Sequence, residues 1–266
     1  MAEKTDIRFR SFRSFSRFTQ HIKTTSRYVW DEETTNFLAT IVSTARYQIL
    51  PHKTQLYRAQ RGVIWEQAFN EDGDCVDEGP FGYLANRMKP LRDKAREGRA
   101  NPTGIPVLYV ANCVETAISE TRPWIGEEIS VATFIANKDL KVVDLTRGFN
   151  RKSNYENAWW KERNNKEDLS QDGINLAVWD EIDNAFSQPV TWSDDTAEYA
   201  STQIIAELFK NEGYDGIMYR SQFGDKGYNL ALFDLDAADP NKCTPYRVQK
   251  IKVDFEEIGN SWYRTD

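Results

Sequence analysis

The chain has 266 residues, a length that suits one large domain or a domain with an extension. Its 34 Lys+Arg against 41 Asp+Glu leave a net charge of -7, the reverse of the basic balance that supplies most nucleic-acid affinity, so direct nucleic-acid binding is not expected. A hydrophobic fraction of 40% with 13% aromatics suffices for a packed core and excludes global disorder, and no apolar run approaches the roughly 20 residues that span a bilayer.

The opening segment RFRSFRSFSRF sets Phe9, Phe12, Phe15 and Phe18 three apart, with Arg8, Arg10, Arg13 and Arg17 between them. A basic arm with interleaved aromatics can grip nucleic acid. A spacing near 3.6 favours instead a helical or turn-rich arm whose phenylalanines dock on the domain while the arginines stay wet. Asp31 caps an expected helix running to about Tyr47, with Phe37, Ile41 and Ala45 on one face, and Pro51 ends that region. Gln55–Gln60 reads as a short strand. Residues 73–104, rich in Gly, Pro and charge, read as a loop or lid with a helix around Leu84 to Glu97.

A strand is expected over Val107–Ala111. Asn112 followed by Glu115 resembles a capping box opening a helix to about Thr121, which Pro123 stops. Ile129–Ala136 and Leu140–Leu145 are strands by alternation and β-branching. Residues 147–171 are polar and Asn-rich, an insertion or long loop. Helices follow at about Ile174–Phe186 and Thr196–Asn211, with Gly213 placed to end the second. DGIMYRS and YNLALFD are the last central strands, and YRVQKIKVDF is a closing strand. Strands and helices mix without strict βαβ alternation, which gives α+β with a mixed or mostly antiparallel sheet.

Three cysteines, Cys75, Cys113 and Cys243, stand far apart and are odd in number. They read as reduced thiols and, with no apolar signal stretch in MAEKTDIRFR, place the chain in the cytoplasm. Cys113 as a nucleophile competes with the commoner reading of a small buried hydrophobe. Only His21 and His52 exist, both ahead of the central strands, which disfavours a zinc site or a Ser-His-Asp triad. No G-x-G-x-x-G follows a strand, which disfavours a Rossmann hydride-transfer enzyme.

Three polar residues stand out in apolar settings: Arg58 in QLYRAQ, Tyr109 in VLYVA, and Glu120 on the next helix. Singly, each has a structural explanation as a surface ion-pair partner, a core aromatic and a solvated helix residue. In combination they resemble a family. LYRAQRG, then RANPTGIPVLYVANCVETAISE, then a strand ending VVDL, then GYDGIMYRS and NLALFD match in order the blocks of the RES-domain family. The resemblance covers roughly Thr54 to Asp236. The chain departs from the pattern at SQFGDKGYN, where many members have a Ser-Ser pair, and in its N-terminal extension and 147–171 insertion.

The resemblance implies an ADP-ribosyltransferase-like α+β fold, an N-terminal arm and helix over residues 1–52 and a catalytic domain over 53–266. It implies a toxin of a toxin-antitoxin pair that degrades NAD and is held by an Xre-type antitoxin. NAD enters as substrate; no cofactor or metal is implied. Arg58, Tyr109 and Glu120 take the functional positions, with Ser221 and Asn229 as further substrate-binding residues. The residue types suit the chemistry. An arginine fork binds a pyrophosphate bidentately, a flat nicotinamide lies against an aromatic, and a carboxylate stabilises positive charge developing on the ribose. The leaving pyridinium is already cationic and departs neutral, so one Glu without His is enough. Transfer of the same ADP-ribosyl group to a macromolecule, and a non-catalytic nucleotide-binding module, are the alternatives.

Overall fold

A computed structural model of the protein describes residues 7–92, 94–148, 153–164, 169–188, 196–223, 227–253, 255 and 257–259. The opening segment forms helix α1 (Ser14–Thr24), and Phe9, Phe12, Phe15 and Phe18 are all buried. Phe18 stacks on Phe37 of α2 (Glu32–Thr44) with ring centroids 4.7 Å apart, and Phe9 and Phe15 pack on the same ring. Each fully buried phenylalanine contributes about 1.5–3 kcal/mol. The arginines between them pair with carboxylates on neighbouring helices, Arg10 with Glu32, Arg17 with Glu33 and Arg13 with Glu162. The arm is thus part of the core, and these arginines are engaged by the protein itself.

Asp31 caps α2 as its sequence position indicates, its Oδ1 accepting from the Thr34 amide at 2.8 Å. The helix ends at Thr44, short of the expected Tyr47, because Tyr47–Leu50 forms strand β1. β2 (Gln55–Arg61) follows as expected. Residues 64–81, read in part as loop, form a hairpin of β3 (Ile64–Phe69) and β4 (Cys75–Phe81) that pair only with each other. Its turn is closed by Asn70 Oδ1, which accepts from the Asp72 and Asp74 amides, and by Gly73 at φ +85. The helix expected over Leu84–Glu97 is a single turn, α3 (Ala85–Met88), with Pro90 just beyond it.

β5 (Leu108–Ala111) leads into α4 (Val114–Glu120), but the capping box does not form. Cys113 occupies the N-cap, and Asn112 is drawn to the neighbouring strand, its Oδ1 accepting from the Tyr228 amide. β6 (Glu128–Ala136) and β7 (Leu140–Leu145) match expectation. The 147–171 insertion contains α5 (Ser153–Arg163), followed by α6 (Gln171–Ser187) and α7 (Ala200–Asn211), which Gly213 ends at φ +78. β8 (Gly216–Arg220), β9 (Tyr228–Leu232) and β10 (Ala238–Arg247) complete the strands. The closing strand therefore precedes its expected place at 246–255. Pro240, Pro245 and a register shift between Pro240 and Lys242 are tolerated because β10 is an edge strand.

The main sheet has eight strands in the order β1-β7-β8-β9-β5-β2-β6-β10, antiparallel except for β7 with β8. Alternation along the strands builds two cores. Val143, Ile217, Ala231 and Phe233 meet α1, α2, α6 and α7 on one side, while Val142, Met218, Leu230 and Leu232 join Leu56, Phe134 and Met88 in the other. The fold is α+β, a mixed, mostly antiparallel sheet flanked by helices, with helices at the N-terminal end.

Candidate active site at the seam of the sheet

β5 pairs with β9 along its whole length but with β2 at only one position, Tyr57 opposite Ala111. Continued, that register would set Arg58 opposite Val110 and Ala59 opposite Tyr109; these pairs are not formed, so the sheet splits there. The split opens a cleft in two lobes that share Arg58 and Tyr109. One, of about 240 Å³, also includes Glu120, Thr121, Tyr219 and Asn229. The other, of about 690 Å³, includes Gln60, Arg87, Lys94, Arg96 and Asn101. Glu120 and Tyr109, expected to share a site, line the same lobe.

Arg58 sits in the seam. Its Nη1 donates to the Tyr109 carbonyl oxygen at 3.3 Å, its Nε is buried without a partner, and no carboxylate among the described residues pairs with it. Burial pulls its guanidinium down to about 10, still charged at neutral pH. A desolvated, unpaired guanidinium costs free energy unless a ligand supplies the anion.

Glu120 ends α4 at the rim. Its Oε1 accepts from Ser221 Oγ at 2.7 Å and from Asn229 Nδ2 at 2.5 Å, both residues buried, while Oε2 accepts nothing from a described residue. Charge-assisted bonds of this kind contribute roughly 1.5–3 kcal/mol each when desolvated. Two further contacts place the carboxylate. Arg61 donates from Nε and Nη2 to the Thr121 carbonyl and also to that of Arg122, holding the C-terminus of α4 where a cation is favoured. A Cβ on Gly227 would come within 1.8 Å of Thr116 Oγ1, so only glycine lets the chain at position 227 lie this close to α4. Ser221 itself stands just past the end of β8, its Oγ accepting from the Phe223 amide.

The Tyr109 hydroxyl donates to Asn101 Oδ1 at 2.7 Å and accepts from the Ala100 amide at 3.0 Å. Burial raises its phenol to about 12, so it remains neutral. With its hydroxyl committed, the ring is the part of Tyr109 left to line the cleft. Asn101, nearly fully buried, donates from Nδ2 to the carbonyls of Arg96, Pro102 and Ile105 and so shapes the wall of the larger lobe. Five cations line that lobe (Arg58, Arg87, Lys89, Lys94 and Arg96) against Glu97 alone among the described residues. Lys89 is tied to Asp236 and Asp239.

The structure thus brings together all five candidates from the sequence. Arg61, Asn101 and Gly227 were not singled out as site residues, although Arg61 and Asn101 lie inside the motif blocks. Their work is to position other groups, and neither a strand-end arginine nor a loop asparagine or glycine carries a periodic signal of that role. Cys113 lies at the α4 N-cap, its Sγ 3.1 Å from Thr116 Oγ1, and does not line either lobe.

The fold and the cleft define an α+β protein whose main sheet is split at a cleft lined by a buried arginine with no carboxylate partner among the described residues and by a carboxylate. The family model described as RES domain matches residues 78–256, well over half of the chain, and the protein belongs to the RES-domain family. Tyr109, Glu120, Ser221 and Asn229 lie inside that match; Arg58 precedes it and joins the site through the sheet. No curated protein matches the chain. Among solved structures, a chain of the M. tuberculosis MbcT–MbcA toxin–antitoxin complex is similar at 13% identity and a TM-score of 0.37, covering 75% of this chain and 87% of that one.

Proposed function

We propose that this protein cleaves the N-glycosidic bond between nicotinamide and ribose in NAD, with water or phosphate accepting the ADP-ribose, and that it acts as a toxin restrained by an Xre-type antitoxin. The observation that carries the reading is that one cleft holds both a buried guanidinium with no carboxylate partner among the described residues and a carboxylate anchored through one oxygen only. Arg58 takes the pyrophosphate, whose charge satisfies the buried guanidinium. The cationic lining of the larger lobe extends that attraction to the rest of the ADP moiety.

The nicotinamide lies against the Tyr109 ring in the smaller lobe. Glu120, with Oε1 fixed by Ser221 and Asn229, turns Oε2 toward the ribose. As the C–N bond breaks, its electron pair goes to the pyridinium nitrogen and positive charge grows on the ribose. A carboxylate already held in place stabilises that charge without reorganisation. Nicotinamide leaves neutral, so no proton donor is required at the leaving group. Membership in the RES-domain family supports the substrate, and restraint by a partner follows from the harm an unrestrained NAD-consuming enzyme does to its own cell.

Purified protein, freed of any inhibitor, should convert NAD to nicotinamide and an ADP-ribose product by chromatography. NAD left intact after hours at high enzyme would overturn the reading. Label from adenine-labelled NAD appearing on a macromolecule would replace hydrolysis with transfer. Co-expression with the antitoxin should restore growth and yield a stable complex.

A further inference from the structure

Four of the residues that line the smaller lobe carry a hydroxyl: Tyr57, Tyr109, Thr121 and Tyr219. Three of these hydroxyls are spent inside the protein. Tyr57 donates to Gln55 Oε1 at 3.2 Å, Tyr109 to Asn101 Oδ1 at 2.7 Å, and Thr121 to the Ile118 carbonyl at 2.7 Å. Tyr219 is 5% exposed, yet its hydroxyl makes no hydrogen bond with a described residue. A buried tyrosine hydroxyl normally has a partner, because leaving it unpaired forfeits its hydration.

The surrounding structure fixes this side chain firmly. Tyr219 lies within β8, paired with Asn229 of β9 on one side and Leu145 of β7 on the other. Residues directly opposite on neighbouring strands share a face, so Tyr219 stands beside the Asn229 that anchors Glu120. Its ring packs on Phe186 of α6 with centroids 6.4 Å apart. The Arg99 guanidinium, itself held by the Phe186 and Ser187 carbonyls, lies 5.8 Å from the same ring. Burial pushes the phenol well above the ordinary tyrosine value, against the pull of Arg99 and with the neighbouring Tyr109 and Glu120 adding to the rise. Tyr219 therefore offers the lobe a neutral O–H on a rigid support.

The leaving base supplies the matching group. The nitrogen of a nicotinamide ring bound to ribose has no lone pair, so the carboxamide is the ring's hydrogen-bonding group. With the ring against Tyr109 and the ribose at Glu120, the carboxamide is what remains for the wall to recognise. We propose that Tyr219 reads the leaving base, its hydroxyl donating to the carboxamide oxygen of nicotinamide. This rests on the reading of the cleft as NAD-cleaving and assigns it a further substrate-contacting residue. As the C–N bond breaks, its electron pair passes to the ring nitrogen and the ring becomes neutral. The carboxamide oxygen then accepts more strongly than it did on the pyridinium, so the hydrogen bond strengthens toward the transition state and favours departure of the base. No proton is transferred.

The test is Tyr219→Phe, which removes one oxygen, strands no group among the described residues and should melt no lower than native. Its kcat/KM on NAD should fall about tenfold. On the dinucleotide whose pyridinium ring carries no carboxamide, native and variant should agree within about twofold. Binding of the free bases by NMR titration needs no turnover. Native protein should prefer nicotinamide to pyridine, and the variant should lose about tenfold of that preference. The binding measurement decides the role of Tyr219 even for a protein that leaves NAD intact, an outcome that removes the cleavage reading instead. A variant with native kcat/KM on NAD would overturn the proposal, as would native protein that binds both bases alike. An equal loss on both dinucleotides would move the hydroxyl to the ribose, and a clearly lower Tm would show that it already holds the fold together.

Discussion

Glu120→Gln separates the proposed chemistry from mere structure. In the native protein Oε1 receives hydrogen bonds from Ser221 at 2.7 Å and Asn229 at 2.5 Å. Glutamine keeps a carbonyl oxygen for both donors, so neither is stranded. What changes is that two charge-assisted bonds become neutral ones, a difference of roughly 1 kcal/mol each, reduced because Glu120 is itself exposed. The expected stability loss is about 1 kcal/mol, a Tm change of roughly 2–4 °C. The effect on rate is much larger, because the negative charge is needed where the ribose becomes cationic. Removing one preorganised electrostatic group costs about 2.7–4 kcal/mol in the barrier, or 10²–10³ in kcat. Glu120→Ala is the poorer test, since it leaves Asn229 Nδ2 buried without an acceptor and mixes a folding penalty into the rate. The assay is nicotinamide release, NAD affinity and melting measured on one preparation. Turnover within a few-fold of native, with fold and affinity intact, would remove Glu120 from the chemistry and the mechanism with it.

Arg58→Lys should weaken NAD binding by about 1.5–3 kcal/mol by calorimetry, because an ammonium cannot reproduce the planar fork. Burial lowers the Arg58 guanidinium to about 10, so folding disfavours its charged form at all pH below that value and the penalty eases only as pH rises through it. Arg58→Met should accordingly melt higher than native at pH 7 while losing the ligand, and a lower Tm would show that the guanidinium is not an unpaired burden. Tyr109→Phe strands the Ala100 amide and Asn101 Oδ1 and should cost about 1–3 kcal/mol in denaturant unfolding; an unchanged midpoint would contradict the hydrogen-bonded loop. Burial raises Glu181 to about 7, and its Oε2 has no partner among the described residues. A carboxylate raised on folding favours the native state at low pH and loses that contribution as pH climbs through about 7. Glu181→Gln should therefore raise Tm more at pH 8 than at pH 5; equal shifts at both would refute the assignment.

Local chemistry made much of this protein legible from its residues. Asp31 capping α2, Gly213 ending α7 and the alternation in β6, β7, β8 and β9 each act within a few residues, and each stands where the sequence places it. The phenylalanine spacing of the opening segment likewise marked a docking arm, and α1 buries Phe15 and Phe18 while the residues just before it bury Phe9 and Phe12. The ordered motif blocks identified the family and the residues that converge. Where the reading failed, a distant partner decided. β1 exists because β7 offers it an edge, Asn112 gives up its capping role because the Tyr228 amide lies across from it, and 238–247 displaces 246–255 beside β6. The β3–β4 hairpin is too polar to signal a core and is held by its own ladder and an Asn70 turn. The cleft was beyond sequence for the same reason. It arises where β2 and β5 share one pair and then part, leaving Arg58 without a carboxylate partner among the described residues and Glu120 held by residues 101 and 109 positions away. Sequence specifies which side chains are present and how each short segment bends. Only closure of the sheet determines which backbone edges go unpaired, and the site forms at such an unpaired edge because that is where polar groups are desolvated without being satisfied.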